Sequence, residues 1–342
     1  MNKDLLYKLI STPSVSGDEI TIQKLIMREM KPFVDTFQTH HSGNLISIHN
    51  PNSNFKILLS AHIDEIGLMV TNIEDNGLCK VTEVGSPNPY MYVGHQVLIK
   101  TKNGLINGVF ANNVNSHENK LSFSDLLLDI GCYSKEETQK YISVGDFVFH
   151  NSNYYEMQNN TLSGRALDNK LGAYIILEVL KRVKTSPLGI YATTSVGEET
   201  TAHGATFAAT NISPQMAIIV DVTHATDHNG RAKEKGYVAL GGGPVLTLGT
   251  SINHNLLDLA KEVSEELKMP LQYEISPERT YTDTDKIHFL EKGIPSILIS
   301  IPLRYMHSSV EVCKLDDVEM ITDLITNMIL KIDDNFNFDP FK

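Results

Sequence analysis

The 342-residue chain has only three cysteines, Cys79, Cys132 and Cys313, far apart and without a Cys-x-x-Cys pair. That is too few for a disulfide framework or a thiolate zinc site, and it fits a reducing cytoplasm. Tryptophan is absent altogether, and with it the side chain that most often stacks on sugars. Positive charge is in deficit, with 29 Lys and Arg against 41 Asp and Glu, a formal charge of −12. A nucleic-acid backbone needs clustered Lys and Arg, so nucleic acid is not the expected partner. No apolar run is long enough to span a bilayer, and the first residues lack the apolar segment of a signal peptide. The expectation is a cytoplasmic protein with no membrane partner. Gly-x-Ser-x-Gly is missing, so Ser308 and Ser309 make no serine-hydrolase motif. Gly241-Gly242-Gly243-Pro244 lacks the Lys-Ser/Thr of a phosphate loop, and no internal repeat is visible.

What is present is an ordinary globular composition, 41% hydrophobic and 20% charged, in a chain long enough for one large and one smaller domain. A helix is expected over 3–11, and a second with Ser16 as N-cap and Gly17-Asp18-Glu19 in its first turn. Strands follow at 34–40 and 45–49, around the turn signal Ser42-Gly43-Asn44. Phe55–Ser60 is nearly continuous in apolar character, as in a sheet covered on both faces. From 68 to about 160 the pattern changes to short β-rich runs broken by hairpin signals such as Asp75-Asn76-Gly77, with one helix over 134–141 and a polar loop over 112–120. After Gly164 to Lys170, helices and apolar strands alternate, with strands at 190–196, 217–220, 270–275 and 296–301. Helices are expected at 204–210, 253–268 and 284–292, and a last one carries Val318, Ile321, Leu324, Ile325, Met328 and Ile329 on one face. The fold class is α/β, a mixed twisted sheet with helices on both faces. The chain divides into the first part of a larger α/β domain at 1–67, an inserted β-domain at 68–161 and the second part of the larger domain at 162–342.

Several strands deliver a potential metal ligand at or beyond their ends. These are His62, the doublet Glu198-Glu199, Asp221 and, a few residues past its strand, His307; Asp168 precedes a helix. Taken singly each has a plain reading, as a polar pair with Asp64, a solvated doublet, a strand end, a core histidine or an N-cap. Sites in open α/β sheets form outside the carboxyl ends of the strands, so these distant groups can converge. Histidine and carboxylate ligands without thiolate suit zinc, cobalt or manganese, and five of them suit two ions sharing one carboxylate. His224 and His228 lie in a polar loop with Asp227 and Gly230, and read as part of a site wall.

Five motifs together resemble the tetrahedral aminopeptidases, a family of glutamyl and deblocking aminopeptidases with co-catalytic metals. They are Ala61-His62-Ile63-Asp64-Glu65, Ala166-Leu167-Asp168-Asn169-Lys170, Glu198-Glu199, Asp221-Val222-Thr223-His224 and Ser300 through Ser308, in the family's order and over nearly the whole chain. The resemblance implies a zinc-exopeptidase-like sheet with an inserted small β-barrel used in assembly. It implies two divalent ions per subunit, zinc first and cobalt or manganese as alternatives. Asp168 would bridge them, His62 and Asp221 would complete one site, and Glu199 and His307 the other. Glu198 would be the general base acting on a metal-activated water, and Asp64 would orient His62. The implied activity is removal of N-terminal residues from short peptides, and the implied assembly a tetrahedral homododecamer. The alternatives are a related metal-dependent deacylase or carboxypeptidase, or a catalytically silent assembly protein. Two departures stand out. Gly197 occupies a position where the family commonly has Gln, and the segment Gly108 to His117 lacks the family's usual prolines.

Overall fold

The structure is a computed structural model that describes residues 1–112, 120–228, 233–339 and 341. His117, Gly230 and nearly all of the expected loop at 112–120 lie outside the described residues. In chain order the first elements are α1 (Lys3–Ser11), α2 (Ile20–Met30), β1 (Thr36–Thr39), β2 (Leu45–His49) and β3 (Lys56–His62). Then come β4 (Gly67–Ile73), β5 (Cys79–Val84), β6 (Gln96–Thr101), β7 (Gly104–Asn112), β8 (Leu126–Asp129), α3 (Lys135–Thr138) and β9 (Phe147–His150). The second half holds β10 (Tyr155–Met157), β11 (Thr161–Gly164), α4 (Leu167–Arg182), β12 (Gly189–Ser195), α5 (His203–Ile212) and β13 (Met216–His224). It closes with β14 (Val245–Gly249), α6 (His254–Glu266), β15 (Gln272–Ser276), α7 (Thr284–Ile287), β16 (Ser296–Leu303), β17 (Glu311–Lys314) and α8 (Leu315–Lys331).

An eight-stranded sheet in the order β1-β2-β12-β3-β13-β16-β14-β15 forms the body. Its central strands β12, β3, β13 and β16 run parallel, while β2 and β14 join them antiparallel. The connection from β3 to β12 passes through α4, and that from β12 to β13 passes through α5 in the opposite direction along the sheet. Right-handed crossovers in opposite directions put their helices on opposite faces. This is why residues such as Ile57, Leu58 and Leu59 are all fully buried and no in–out alternation shows in the sequence.

Strands β4 to β9 close into a six-stranded barrel, in the order β4-β5-β8-β7-β6-β9, between β3 and α4. The barrel has its own core of Leu68, Val70, Val81, Val97, Ile99, Phe110, Leu126, Leu128 and Val148. A third, small sheet pairs β10 with β11 and β11 with β17, and sets Gly164 opposite Glu311.

Three local expectations are corrected. Ser16 does not cap α2, because its hydroxyl donates to Asp64 at 2.6 Å and the helix starts at Ile20 behind Glu19, which makes no side-chain cap. The helix expected over 284–292 stops at Ile287, where the chain turns and Glu291 takes a left-handed φ of 55°. The strand before Asp221 continues to His224, because β16 pairs with it through His224 and Leu303.

Candidate active site

Parallel strands β3 and β12 place His62 opposite Ser195, so the chain leaving β12 brings Gly197, Glu198 and Glu199 over the end of β3. Asp221 on β13 and His307, four residues past β16, approach from the other side, and Asp168 comes from the first turn of α4. Asp168 lies between the two histidines. One carboxylate oxygen, Oδ1, is 3.1 Å from His62 Nε2, and the other, Oδ2, is 3.3 Å from His307 Nε2. His62 Nε2 is also 3.6 Å from Asp221 Oδ1, and His307 Nε2 is 3.5 Å from Glu199 Oε2. Two three-residue groups that could hold a metal ion result, His62–Asp168–Asp221 and Asp168–Glu199–His307, each with its atoms within 4.8 Å of one another. Glu198 Oε2 stands 3.9 Å from His62 Nε2.

The supports of these side chains are carboxylates that bind backbone. Asp64 accepts the N–H groups of Glu198 at 3.1 Å and Glu199 at 3.2 Å, one on each oxygen. His62 Nδ1 is 3.1 Å from the backbone oxygen of Asp64 and 3.5 Å from its carboxylate, so donation from Nδ1 leaves Nε2 as the ligand atom. Glu311 does for the second group what Asp64 does for the first. It accepts the N–H of Asp168 at 3.1 Å and that of His307 at 2.8 Å. The sequence reading missed Glu311, which has no motif spacing of its own and acts only once β17 lies beside β11. It also missed Asp283, a buried carboxylate that accepts the hydroxyls of Ser195 at 2.6 Å and Ser60 at 3.2 Å.

The site holds more negative charge than its imidazoles balance. Burial pushes Glu198 up to about 10, with Asp221, Asp283 and Glu199 raising it further against the pull of His62. Burial likewise raises Asp221 and Glu199, and takes Asp283 to about 7 and Glu311 to about 8. Asp168 escapes this: burial alone would raise it, but the hydrogen bonds to His307 and His62 hold it well below the usual carboxylate range. His307 is driven up to about 11, because Asp168 and Glu199 outweigh its own burial. Buried carboxylates in such excess call for added cations. The oxygen and imidazole donors, two histidines and no thiolate, fit a pair of divalent ions.

A family model for M42 glutamyl aminopeptidases matches residues 43–324. The chain belongs to that family. A lysyl aminopeptidase of Pyrococcus furiosus is 31% identical over 330 residues, covering 92% of this chain and 93% of its own. The TET aminopeptidase of the marine sediment archaeon Thaumarchaeota archaeon SCGC AB-539-E09 superimposes with a TM-score of 0.92 at 27% identity, covering 97% of this chain and 96% of its own. The Pyrococcus horikoshii TET1 peptidase, which can assemble into a tetrahedron or a large octahedral shell, matches with a TM-score of 0.86 at 27% identity over 96% of this chain and 99% of its own. Family membership makes this chain a peptidase that acts at peptide N-termini, and it decides against a deacylase or carboxypeptidase.

In this M42 chain the ligand groups open onto a cleft of 1120 Å³, walled by Thr223, His224, Glu274, Arg279, Tyr281 and Phe289 among others. His224 does line the wall, while Asp227 makes a two-point ion pair to Arg304, at 2.8 and 2.6 Å, that ties the loop after β13 to the approach to His307. Gly197 has a physical reason to be glycine. Its φ is +67°, and a Cβ there would sit 2.2 Å from Cε1 of His203, whose ring fills the space. Among the described residues no helix is long and apolar enough to cross a membrane.

Proposed function

We propose that this peptidase is a cytoplasmic, two-metal aminopeptidase that removes N-terminal residues from short peptides. The observation that carries the reading is Asp168, with one oxygen turned to His62 and the other to His307. His62, Asp168 and Asp221 would hold one ion, and Asp168, Glu199 and His307 the other; zinc is the first candidate, with cobalt and manganese suited to the same donors. When bound, such a pair polarises the scissile carbonyl and lowers the pKa of water. Glu198 is the general base. Its carboxylate takes the proton of the attacking water and passes it to the departing amine. Asp64 keeps that carboxylate in place by holding the backbone N–H groups of Glu198 and Glu199. Asp64, Glu311 and the small sheet that carries Glu311 therefore orient ligands without touching substrate.

The units that go with this reading are a catalytic domain built from 1–67 and 162–342 and an inserted domain at 68–161. The Pyrococcus horikoshii TET1 peptidase can assemble into a tetrahedron or a large octahedral shell, and one structure of it is a dodecamer. By that likeness we infer a homo-oligomer, a tetrahedral dodecamer, with the barrel as an assembly element. Release of amine from aminoacyl anilides by the purified protein loaded with zinc, cobalt or manganese tests the activity. A folded, metal-loaded protein that cleaves no member of such a panel would falsify the reading.

A further inference from the structure

Strand β15 alternates between part-buried Gln272, Glu274 and Ser276 and exposed Tyr273 and Ile275. Gln272 spends its amide on the backbone of Ala239 and Gly243, at 2.7 to 3.0 Å. Glu274, next on the same side, does something else. It reaches across the sheet face into the wall of the active-site cleft. Its Oε1 accepts the hydroxyls of Thr247 at 2.7 Å and Ser300 at 3.1 Å, and its Oε2 accepts that of Thr223. Among the described residues no Lys or Arg nitrogen comes within 4.0 Å of it.

The placement is informative because two of the three hydroxyls, those of Ser300 and Thr223, border Asp221. Ser300 is the β16 partner of Asp221, and Thr223 stands two residues beyond Asp221 on the same strand, hence on the same face. Two residues of strand span about 7 Å, within reach of an extended lysine side chain whose own backbone sits at the ligand groups. A carboxylate has about four acceptor sites. Three are taken here, and the remaining one is on Oε2, which carries a single donor. The three hydroxyls meet the carboxylate's hydrogen-bonding needs but bring no opposite charge, and a cationic partner at the open acceptor site adds a charge-assisted hydrogen bond. The other charges of the wall do not answer it. Glu234, Lys235, Glu278 and Arg279 are exposed and of balanced sign; of the half-buried Asp285 and Lys286, Asp285 accepts the N–H groups of Thr280 and Tyr281, both at 2.9 Å, and Lys286 does not come within 4.0 Å of Glu274.

Resting on the aminopeptidase reading above, we propose that Glu274 is the specificity-determining residue of the cleft and selects peptides whose first residue is lysine or arginine. An acidic first residue meets like charge, and an aliphatic one covers the carboxylate without pairing it.

The test compares lysyl, norleucyl, leucyl and glutamyl anilides on the unmodified, metal-loaded protein. Norleucine keeps the length of lysine and drops its charge. Lysyl is expected to exceed norleucyl in kcat/KM on the order of tenfold or more, the value of a charged hydrogen bond, with glutamyl slowest. Norleucyl or glutamyl cleaved as well as lysyl, or cleavage of other aminoacyl anilides but none of these four, overturns the assignment while leaving the aminopeptidase reading intact; cleavage of no aminoacyl anilide of the wider panel removes both. Glu274→Gln, which keeps shape and acceptor oxygen, should bring the lysyl-to-norleucyl ratio toward one, mainly through KM for the lysyl substrate. A ratio unchanged in that variant, with melting temperature and metal content retained, also overturns it.

Discussion

The barrel and the large sheet bury different kinds of matter. Over residues 68–150 the buried polar side chains among those described are Thr138 and His150, and no carboxylate is among them. The sheet and its flanking loops bury Asp64, Glu65, Asp168, Asp221, Asp283 and Glu311. The barrel's core is therefore apolar apart from those two side chains. The catalytic unit carries a buried negative charge that its own histidines only partly offset, and part of its stability belongs to whatever cations it binds. Outside the site Glu65 binds both Arg165 and Lys170, the latter at 3.0 Å, while Asp317 rests on the backbone N–H groups of Gly241 and Gly243 at 2.7 and 2.9 Å. The carboxylates that crowd together are those at the cleft, where Asp168 belongs to both candidate metal groups.

The largest effect is expected at Glu198, the proposed general base. Glu198→Gln keeps the backbone contacts to Asp64 and removes the base. Turnover should fall on the order of a thousandfold, with metal content, measured by elemental analysis, at the wild-type level. Activity near wild type would take the proton-transfer role from Glu198. Loss of metal together with activity would make it a ligand instead.

The second prediction turns to the barrel. His150 stacks on Tyr92 with centroids 4.2 Å apart, and its Nδ1 has no hydrogen-bond partner. Burial first, and the nearby His95 second, lower it from 6.5 to about 4. The unfolded chain thus binds a proton that the folded one refuses between those pH values. This contribution to stability is complete above about pH 6.5 and is lost as pH falls toward 4, up to about 3 kcal/mol. His150→Phe keeps the stacking and drops the titration. The difference in urea unfolding between the two proteins, followed from pH 7 to pH 4, should shift in favour of the variant by that order. A difference that does not change with pH would place His150 in a wetter setting than its burial implies.

Third come the two backbone-binding carboxylates. Asp64→Ala and Glu311→Ala should each weaken metal binding about 10- to 100-fold, read by competition with a chromophoric chelator. If Glu311→Ala leaves affinity untouched, the parallel between the two supports fails. The pair also marks how far the sequence could be read. His62, Glu198, Glu199 and Asp221 were legible because each follows an apolar strand that points it at the sheet's carboxyl end. Asp64 was legible by its place two residues from His62. Glu311 was not, since its role exists only when β17 pairs with β11 and brings it to the amides of Asp168 and His307. Ser16 was misread for a related reason: a cap and a hydrogen bond to a distant carboxylate draw on the same hydroxyl, and only tertiary structure decides between them. The sheet's strands and the change of character near residue 68 were visible in periodicity, whereas helix ends such as that of α7 depend on local turns.

The smallest effect distinguishes a glycine of the active site from one of the barrel. Gly94 and Gly197 both have positive φ, +77° and +67°. A Cβ at Gly94 would meet nothing within 4 Å, while one at Gly197 would meet the ring of His203 at 2.2 Å. Gly94→Ala should therefore cost only the left-handed backbone penalty, about 1–2 kcal/mol. Gly197→Ala should cost that plus the displacement of His203, whose Nδ1 is held at 2.7 Å by the Thr201 hydroxyl. Urea midpoints measure both, and His203→Ala in the Gly197→Ala background should return the cost to the Gly94 value. Equal costs for the two single variants would mean that the His203 ring swings aside freely. In that case Gly197 is kept for its backbone alone, and the wall beside Glu198 is softer than the packing of His203 suggests.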